Sequence, residues 1–258
     1  MASHFSGIGC HFEEREDLHR FLDFAVQSAE VFELPGGNVA LYQQDTGLQY
    51  WFPLDEEGEP EDYNFHFTSG LVNDIRVLEC LQADVEGQSG MYRCEIDIDD
   101  GAGMPISDVP INVYLPAAGL LGDWESGQAF KAQFACFAES IEVCRGRAAF
   151  DAAKDDGEGP LAHEHFIPVG TFSPSQDPDF EPSEHVMFGG TVLTSERLVN
   201  TYSSQEYDHI QVTSLDMKYD VLVDPVLYDV LPQPGDIIQG VFWVSALVWK
   251  EDKNDEKS

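Results

Sequence analysis

The spacing of hydrophobic residues changes near residue 35 and separates two kinds of element. Between Glu13 and Glu30, hydrophobic residues recur every three or four positions, at Leu18, Phe21, Leu22, Ala25 and Ala29. This spacing puts them on one face of a helix, and the acidic residues of the first turn suit a helix N-terminus. Pro35, Gly36 and Gly37 then end the pattern. The segment therefore predicts one amphipathic helix.

After residue 37, hydrophobic and polar residues alternate, as they do in a half-buried β-strand. Residues 38–44 and 48–54 flank Asp45-Thr46-Gly47, where glycine allows a positive φ, so this stretch predicts a hairpin. Further strands are predicted at 63–68, 74–82, 91–98, 109–115 and 131–143. The last of these also fits a helix, and we interpret it as a strand followed by a short helix at 147–154. The predicted class is mainly β (α+β), beginning with an antiparallel sheet domain that has one N-terminal helix.

A change of composition predicts a domain boundary. Residues 173–183 contain Pro174, Pro178 and Pro182 among acidic and serine residues, which is typical of a linker. They would separate a β-rich domain at 1–172 from a second β region at 184–250, which a charged tail follows at 251–258. The second region has three long strand patterns, at 186–200, 207–224 with a turn near residue 215, and 236–249. The sequence leaves open whether the two regions fold independently.

The second region resembles a small OB-like β-barrel. The resemblance rests on Gly189-Gly190 in an early strand and on Pro234-Gly235-Asp236 before a last strand that contains Gly240. The whole chain also resembles an uncharacterised family of bacterial proteins, through the segments HFSGIG at 4–9 and GDIIQGVFW at 235–243. That family brings no established activity with it, so the resemblance implies no function.

The charge of the chain restricts its partners. Its 258 residues include 48 Asp and Glu but only 13 Lys and Arg, which gives a formal net charge of −35. Such a surface repels nucleic acid and anionic membranes, because both are bound through Lys and Arg. A basic protein partner is therefore predicted, with no nucleic acid and no membrane. The same charge is also explained by solubility or by adaptation to a salty cytoplasm.

Cysteine usage and the termini indicate the compartment. Five cysteines occur with no CxxC pair, and Cys136 and Cys144 lie among apolar neighbours, which favours small core residues over zinc or redox chemistry. Residues 1–12 lack the features of a signal peptide, and no stretch approaches the roughly 18 apolar residues of a membrane span. A cytoplasmic location is predicted.

One cluster of side chains could bind a metal ion. His163, Glu164 and His165 are followed by His185, and imidazole and carboxylate groups are suitable zinc ligands. On a strand, His163 and His165 would share one face. The alternative interpretation is a solvated or hydrogen-bonding loop. Zinc is the one cofactor for which the sequence offers candidate ligands. The motifs of serine or cysteine nucleophiles and of nucleotide-binding loops are missing.

Charge and the lack of catalytic motifs together predict an acidic, non-enzymatic protein-binding module that captures a basic partner, as immunity proteins and inhibitors do. Two alternatives stay open. One is a metal-assisted hydrolase with His163, His165 and His185 as ligands and a nearby Glu as base. The other is a structural or housekeeping protein whose acidity is an adaptation to salt.

Overall fold

The structure is a computed structural model that describes residues 5–12, 14–99, 105–155, 162–171 and 180–251. The described residues form two α-helices, α1 at Arg15–Gln27 and α2 at Gly146–Asp155, and otherwise mostly β-strands. The predicted mainly β class with an N-terminal helix is therefore confirmed. Helix α1 buries Phe21 and Ala25, in agreement with the hydrophobic spacing. None of the described helices is long and apolar enough to cross a membrane.

The strands form a small and a large sheet. The small sheet contains, in spatial order, β1 (Glu30–Leu34), β2 (Gly37–Gln43), β3 (Leu48–Pro53) and β4 (Asn64–Phe67). The large sheet contains β5 (Asn73–Val85), β6 (Ser89–Asp99), β7 (Pro105–Leu115), β8 (Gln128–Cys144), β9 (His165–Val169), β10 (His185–Val199), β11 (Glu206–Ser214), β12 (Met217–Val223) and β13 (Ile237–Trp249).

Most of these strands coincide with the alternating segments of the sequence, and two do not. The predicted hairpin is β2 and β3, and the predicted strand at 131–143 is β8, which α2 follows. Strand β1 begins at Glu30, the last residue of the predicted helix, and its residues are exposed or half-buried, so it carries no alternation. Strand β9 was not predicted, because it is five residues long and contains Pro168.

Strands β8 and β13 form the centre of the large sheet. They pair antiparallel from Ile237 opposite Cys144 to Trp249 opposite Lys131. Strands β5, β6 and β7 close a ring with this ladder, because β5 pairs with β8 and β7 contacts β13 in parallel. Strands β10, β11 and β12 close a second ring, because β10 pairs with β13 and β12 pairs in parallel with β8. The large sheet is thus two five-stranded barrels that share β8 and β13.

The two barrels repeat one unit of structure. Tyr114 on β7 pairs with Ser245 on β13, and Leu222 on β12 pairs with Phe137 on β8, so each residue of one pair has its counterpart 108 positions along the chain. The turns before the two shared strands also match. The backbone N–H of Gly127 donates to Val77 O at 2.8 Å, and that of Gly235 donates to Val192 O at 2.9 Å. Each of the repeats β5–β8 and β10–β13 therefore contributes its last strand to both barrels.

The sharing of β8 and β13 joins the two predicted regions in one sheet. Region 184–250 supplies four strands of the second barrel, and β8, from before the predicted linker, supplies the fifth. The five-stranded barrel is of the size expected for an OB-like fold. Residues 173–179 of the predicted linker and 252–258 of the predicted tail lie outside the described residues. The two regions share one sheet and one buried core, which includes Val77, Phe134 and Phe242.

A second core joins the small sheet and α1 to the barrels. Phe21 of α1 contacts Tyr50 of β3 edge to face, and Phe65 of β4 packs against Phe137 and Trp243. Aromatic pairs in such geometries bind more strongly than their buried area alone accounts for. The contacts hold one end of the small sheet on the shared strands β8 and β13. Its loops therefore have a fixed position on the molecular surface.

Candidate functional site

The predicted metal ligands lie in and near the pairing of β9 with β10. His165 lies opposite Gly189, and His185 lies opposite Val169, so the two histidines occupy opposite ends of the ladder. Four residues of strand separate these ends, which is about 13 Å at 3.3 Å per residue. His163 precedes the strand rather than sharing a strand face with His165. The structure does not bring His165 and His185 together.

Each of these histidines makes its own local contacts. His165 Nδ1 lies 2.7 Å from Ala162 O, and His163 Nε2 lies 3.9 Å from a carboxylate oxygen of Glu164. His185 lies between Ser183 Oγ, 2.9 Å from its Nδ1, and Glu139 Oε1, 3.0 Å from its Nε2. Throughout the described ranges, no group of three or more His, Cys, Asp or Glu side chains is placed to hold a metal ion. Zinc binding by these histidines stays a prediction.

A groove between α1 and the segment after β3 is the strongest candidate site. We call it the α1 groove, and its volume is about 450 Å³. It is lined by apolar side chains, by four carboxylates, and by a histidine and a glutamine: Leu22, Val26, Phe52, Pro60, Tyr63, Asp23, Glu59, Glu61, Asp62, His19 and Gln27. Apolar surface beside carboxylates suits a ligand that has both an aliphatic part and a positive charge.

A turn after β3 brings the acidic segment to the helix. The backbone N–H of Gly58 donates to Asp55 O at 3.1 Å, and that of Glu59 donates to Asp55 Oδ1 at 2.8 Å. Leu54 then pairs with Pro60 in an isolated antiparallel bridge. Asp and Gly favour such a turn, because Asp accepts local backbone hydrogen bonds and Gly allows a positive φ. The chain therefore returns past β3 and presents its acidic side chains beside α1.

A second groove adjoins the first at the tip of the β5–β6 hairpin. We call it the hairpin groove, and its volume is about 820 Å³. It is lined by Glu61, Asp62, Ala83, Asp84, Val85, Glu86 and Gln88. Because Glu61 and Asp62 line both grooves, the two form one continuous acidic surface. Among the described residues, neither lining includes a Lys or Arg.

Backbone contacts hold the hairpin tip in place. The backbone N–H of Gln88 donates to Val85 O at 3.0 Å across a turn that contains Gly87, with φ of 74°. The backbone N–H of Ala118 donates to Gln88 O at 2.7 Å. On the other side, Gly36 packs so closely that a Cβ there would lie 1.9 Å from Gly87 O. The hairpin groove is therefore formed before any partner binds.

Within the described ranges, the carboxylates of this surface have no Lys or Arg beside them in the groove linings. Asp62 is half-buried, and burial raises its pKa, with a smaller contribution from the negative charge of Asp84. Asn64 Nδ2 donates to Asp62 at 3.3 Å and offsets this only in part. Elsewhere, arginines pair with carboxylates of the chain: Arg76 with Glu95, Arg93 with Glu79, Arg145 with Asp236 and Arg197 with Asp208. A positive group from outside would favour the charged form of Asp62 and offset the cost of its burial.

We expect Asp62→Asn to stabilise the isolated protein at pH 7. A raised pKa means that the folded state disfavours the carboxylate, so the cost is present at neutral pH and disappears as the carboxyl is protonated. The gain should be about 0.5 kcal/mol, because the side chain is only half-buried. Urea unfolding at pH 7 and about pH 3 measures it, and the two proteins should converge at the lower pH. A variant less stable than wild type at pH 7 would contradict the unfavourable charge.

The sequence indicated only part of this surface. Residues 55–62 form an acidic run that is visible in the sequence and is typical of a solvated loop, and this run supplies Glu59, Glu61 and Asp62. Asp23, Asp84 and Gln88 were missed, because they come from distant segments and form no local pattern. Comparison with known proteins adds no further indication, since no protein-family model, curated protein or solved structure matches the chain.

Proposed function

We propose that the protein is a non-enzymatic binding protein that captures a basic protein partner, in the manner of an inhibitor or immunity protein. The observation that carries the proposal is the continuous surface of the two grooves, which share Glu61 and Asp62 and have no Lys or Arg among their described lining residues. The net charge of −35 supports it. A basic protein would pair at this surface with carboxylates that no Lys or Arg of the described lining neutralises.

Both grooves have the composition that a Lys or Arg side chain requires. Such side chains lay their methylene groups along apolar surface and keep the charged end near carboxylates or water. In the α1 groove, Leu22, Val26 and Phe52 offer the apolar surface. The overall negative field would raise the rate at which a basic protein associates, and salt would lower that rate, because exposed charges are screened over about 10 Å at 0.1 M.

Neutralising the shared carboxylates Glu61 and Asp62 should strongly weaken the capture of a basic protein. The test immobilises the wild type and the double variant Glu61→Gln/Asp62→Asn, and exposes both to lysate of the source organism at low salt. A basic protein retained by the wild type, released by high salt, and retained at least about tenfold less by the variant is the expected result, which corresponds to about 1.4 kcal/mol. Mass spectrometry identifies and quantifies the retained protein.

A matched control separates this surface from the general charge. Asp216→Asn/Asp229→Asn also removes two negative charges, but from exposed positions on the second barrel. This variant should retain the basic protein as the wild type does, apart from a small uniform loss. If the two variants lose capture equally, the groove is not the binding surface, and an environmental role of the charge is favoured instead.

A further inference from the structure

We propose that the hairpin groove binds an arginine side chain of the basic partner. The inference rests on the proposed function and adds to it the chemical identity of the group that enters this groove.

The charged groups in the lining of the hairpin groove are all hydrogen-bond acceptors. Glu61, Asp62, Asp84 and Glu86 present carboxylates, which only accept hydrogen bonds when ionised. Ala83 and Val85 add apolar surface, and the structure places no Lys, Arg or His of the described chain in the lining. A ligand that matches this groove therefore supplies positive charge and hydrogen-bond donors.

Gln88 gives an independent indication of the same kind. Its side chain is 9 % exposed and lines the groove. Nε2 donates to Leu54 O at 3.3 Å, while Oε1 is buried and has no hydrogen-bond partner in the described parts of the chain. A buried acceptor without a donor is unfavourable, and native proteins pair nearly all such atoms. The bond to Leu54 uses the amide nitrogen, so Oε1 is the side-chain atom that still needs a donor.

Arginine fits these requirements better than lysine. A guanidinium has five N–H donors in a planar fork and no acceptor, so it can pair with a carboxylate through two bonds and still donate to a third group. An ammonium is a compact and strongly hydrated charge without this geometry. Asp62, Asp84 and Gln88 all line the hairpin groove, and a planar fork can pair with a carboxylate and still donate to an amide oxygen.

A metal ion is a poorer occupant. Calcium and magnesium need several oxygen ligands arranged around one point. The carboxylates of this groove do not form such a group, since no set of three or more metal-binding side chains converges within the described residues. Carboxylates spread along a groove match instead a long side chain whose charge is delocalised over a plane.

The test compares two peptides of equal charge on the full chain. Nona-arginine and nona-lysine are titrated into the wild type, and binding is measured by isothermal titration calorimetry. We expect the wild type to prefer nona-arginine by at least about tenfold in Kd. Gln88→Met, which removes the unpaired acceptor, and Asp84→Asn, which removes one carboxylate, should each lower this preference at least about threefold.

Controls separate the possible failures. Asp216→Asn/Asp229→Asn should keep the preference, and thermal unfolding confirms that each variant is folded; Asp84→Asn serves if Gln88→Met does not fold. Equal binding of both peptides by the wild type, or a preference that neither groove variant changes, overturns the arginine assignment while the proposed function stands. If neither peptide binds, the proposed function fails together with it.

Discussion

Gly240→Ala should destabilise the protein by about 3 kcal/mol, because the shared ladder of β8 and β13 has no space for a methyl group there. A Cβ at Gly240 would lie 2.1 Å from Ser140 O and 3.0 Å from the ring of Phe242. The first contact is to backbone and cannot be relieved by rotating a side chain. Phe242 is fully buried in the core that both barrels share. Either the ladder separates locally or β13 shifts.

Urea unfolding at neutral pH measures the effect, and Gly7→Ala is the control. Gly7 is buried, but a Cβ there would lie 3.5 Å from Leu222 O, an ordinary contact, so we expect a change below about 0.5 kcal/mol. Because β8 and β13 belong to both barrels, Gly240→Ala should lower the stability of the whole domain in one transition. Two separate transitions, with only one affected, would contradict the shared ladder.

Acid should weaken the fold through His66, by about 2–3 kcal/mol between pH 6.5 and pH 4.5. His66 on β4 is fully buried, and its Nδ1 lies 3.1 Å from Ser245 Oγ on β13. Burial lowers its pKa from 6.5 to about 3. Between these two pH values, His66 therefore binds a proton in the unfolded chain but not in the folded protein. This contribution to stability is complete above pH 6.5 and is lost as the pH falls toward 3.

Comparing His66→Gln with the wild type isolates this contribution. The variant has no imidazole to protonate, so its unfolding free energy should fall less steeply between pH 6.5 and 4.5, by about 1.4 kcal/mol per pH unit. Asp62 acts in the opposite direction, because its pKa is raised, and its contribution is the same in both proteins. If both proteins lose stability in parallel, His66 accepts a proton in the folded state, and its burial does not control the acid response.

Local patterns predicted the elements of the fold well. The spacing of Phe21 and Ala25 predicted α1, and Asp45-Thr46-Gly47 predicted the hairpin of β2 and β3. Both signals lie within a few residues, where backbone preference and burial act in the same direction. Strand β1 was not predicted, because its five residues are exposed or half-buried. A strand that does not bury one face has no reason to alternate.

The candidate site was predicted less well, since its residues are far apart in sequence. Glu61 belongs to an acidic run that the sequence marked, whereas Asp84 and Gln88 belong to a hairpin tip that comes beside it only in the fold. The histidines that the sequence grouped as one metal site are separated in the fold. His163 and His165 are neighbours in sequence, yet antiparallel pairing of β9 with β10 puts His185 at the far end of the ladder from His165.

The sequence by itself determined the charge, the helix, most strands and the mainly β class, because each follows from composition or from contacts a few residues apart. Tertiary structure alone decided that β8 closes the second barrel and β13 the first. It also decided that Glu61, Asp62 and Gln88 line one groove. Strand pairing between segments about 100 residues apart depends on complementary surfaces that exist only once the barrels have formed.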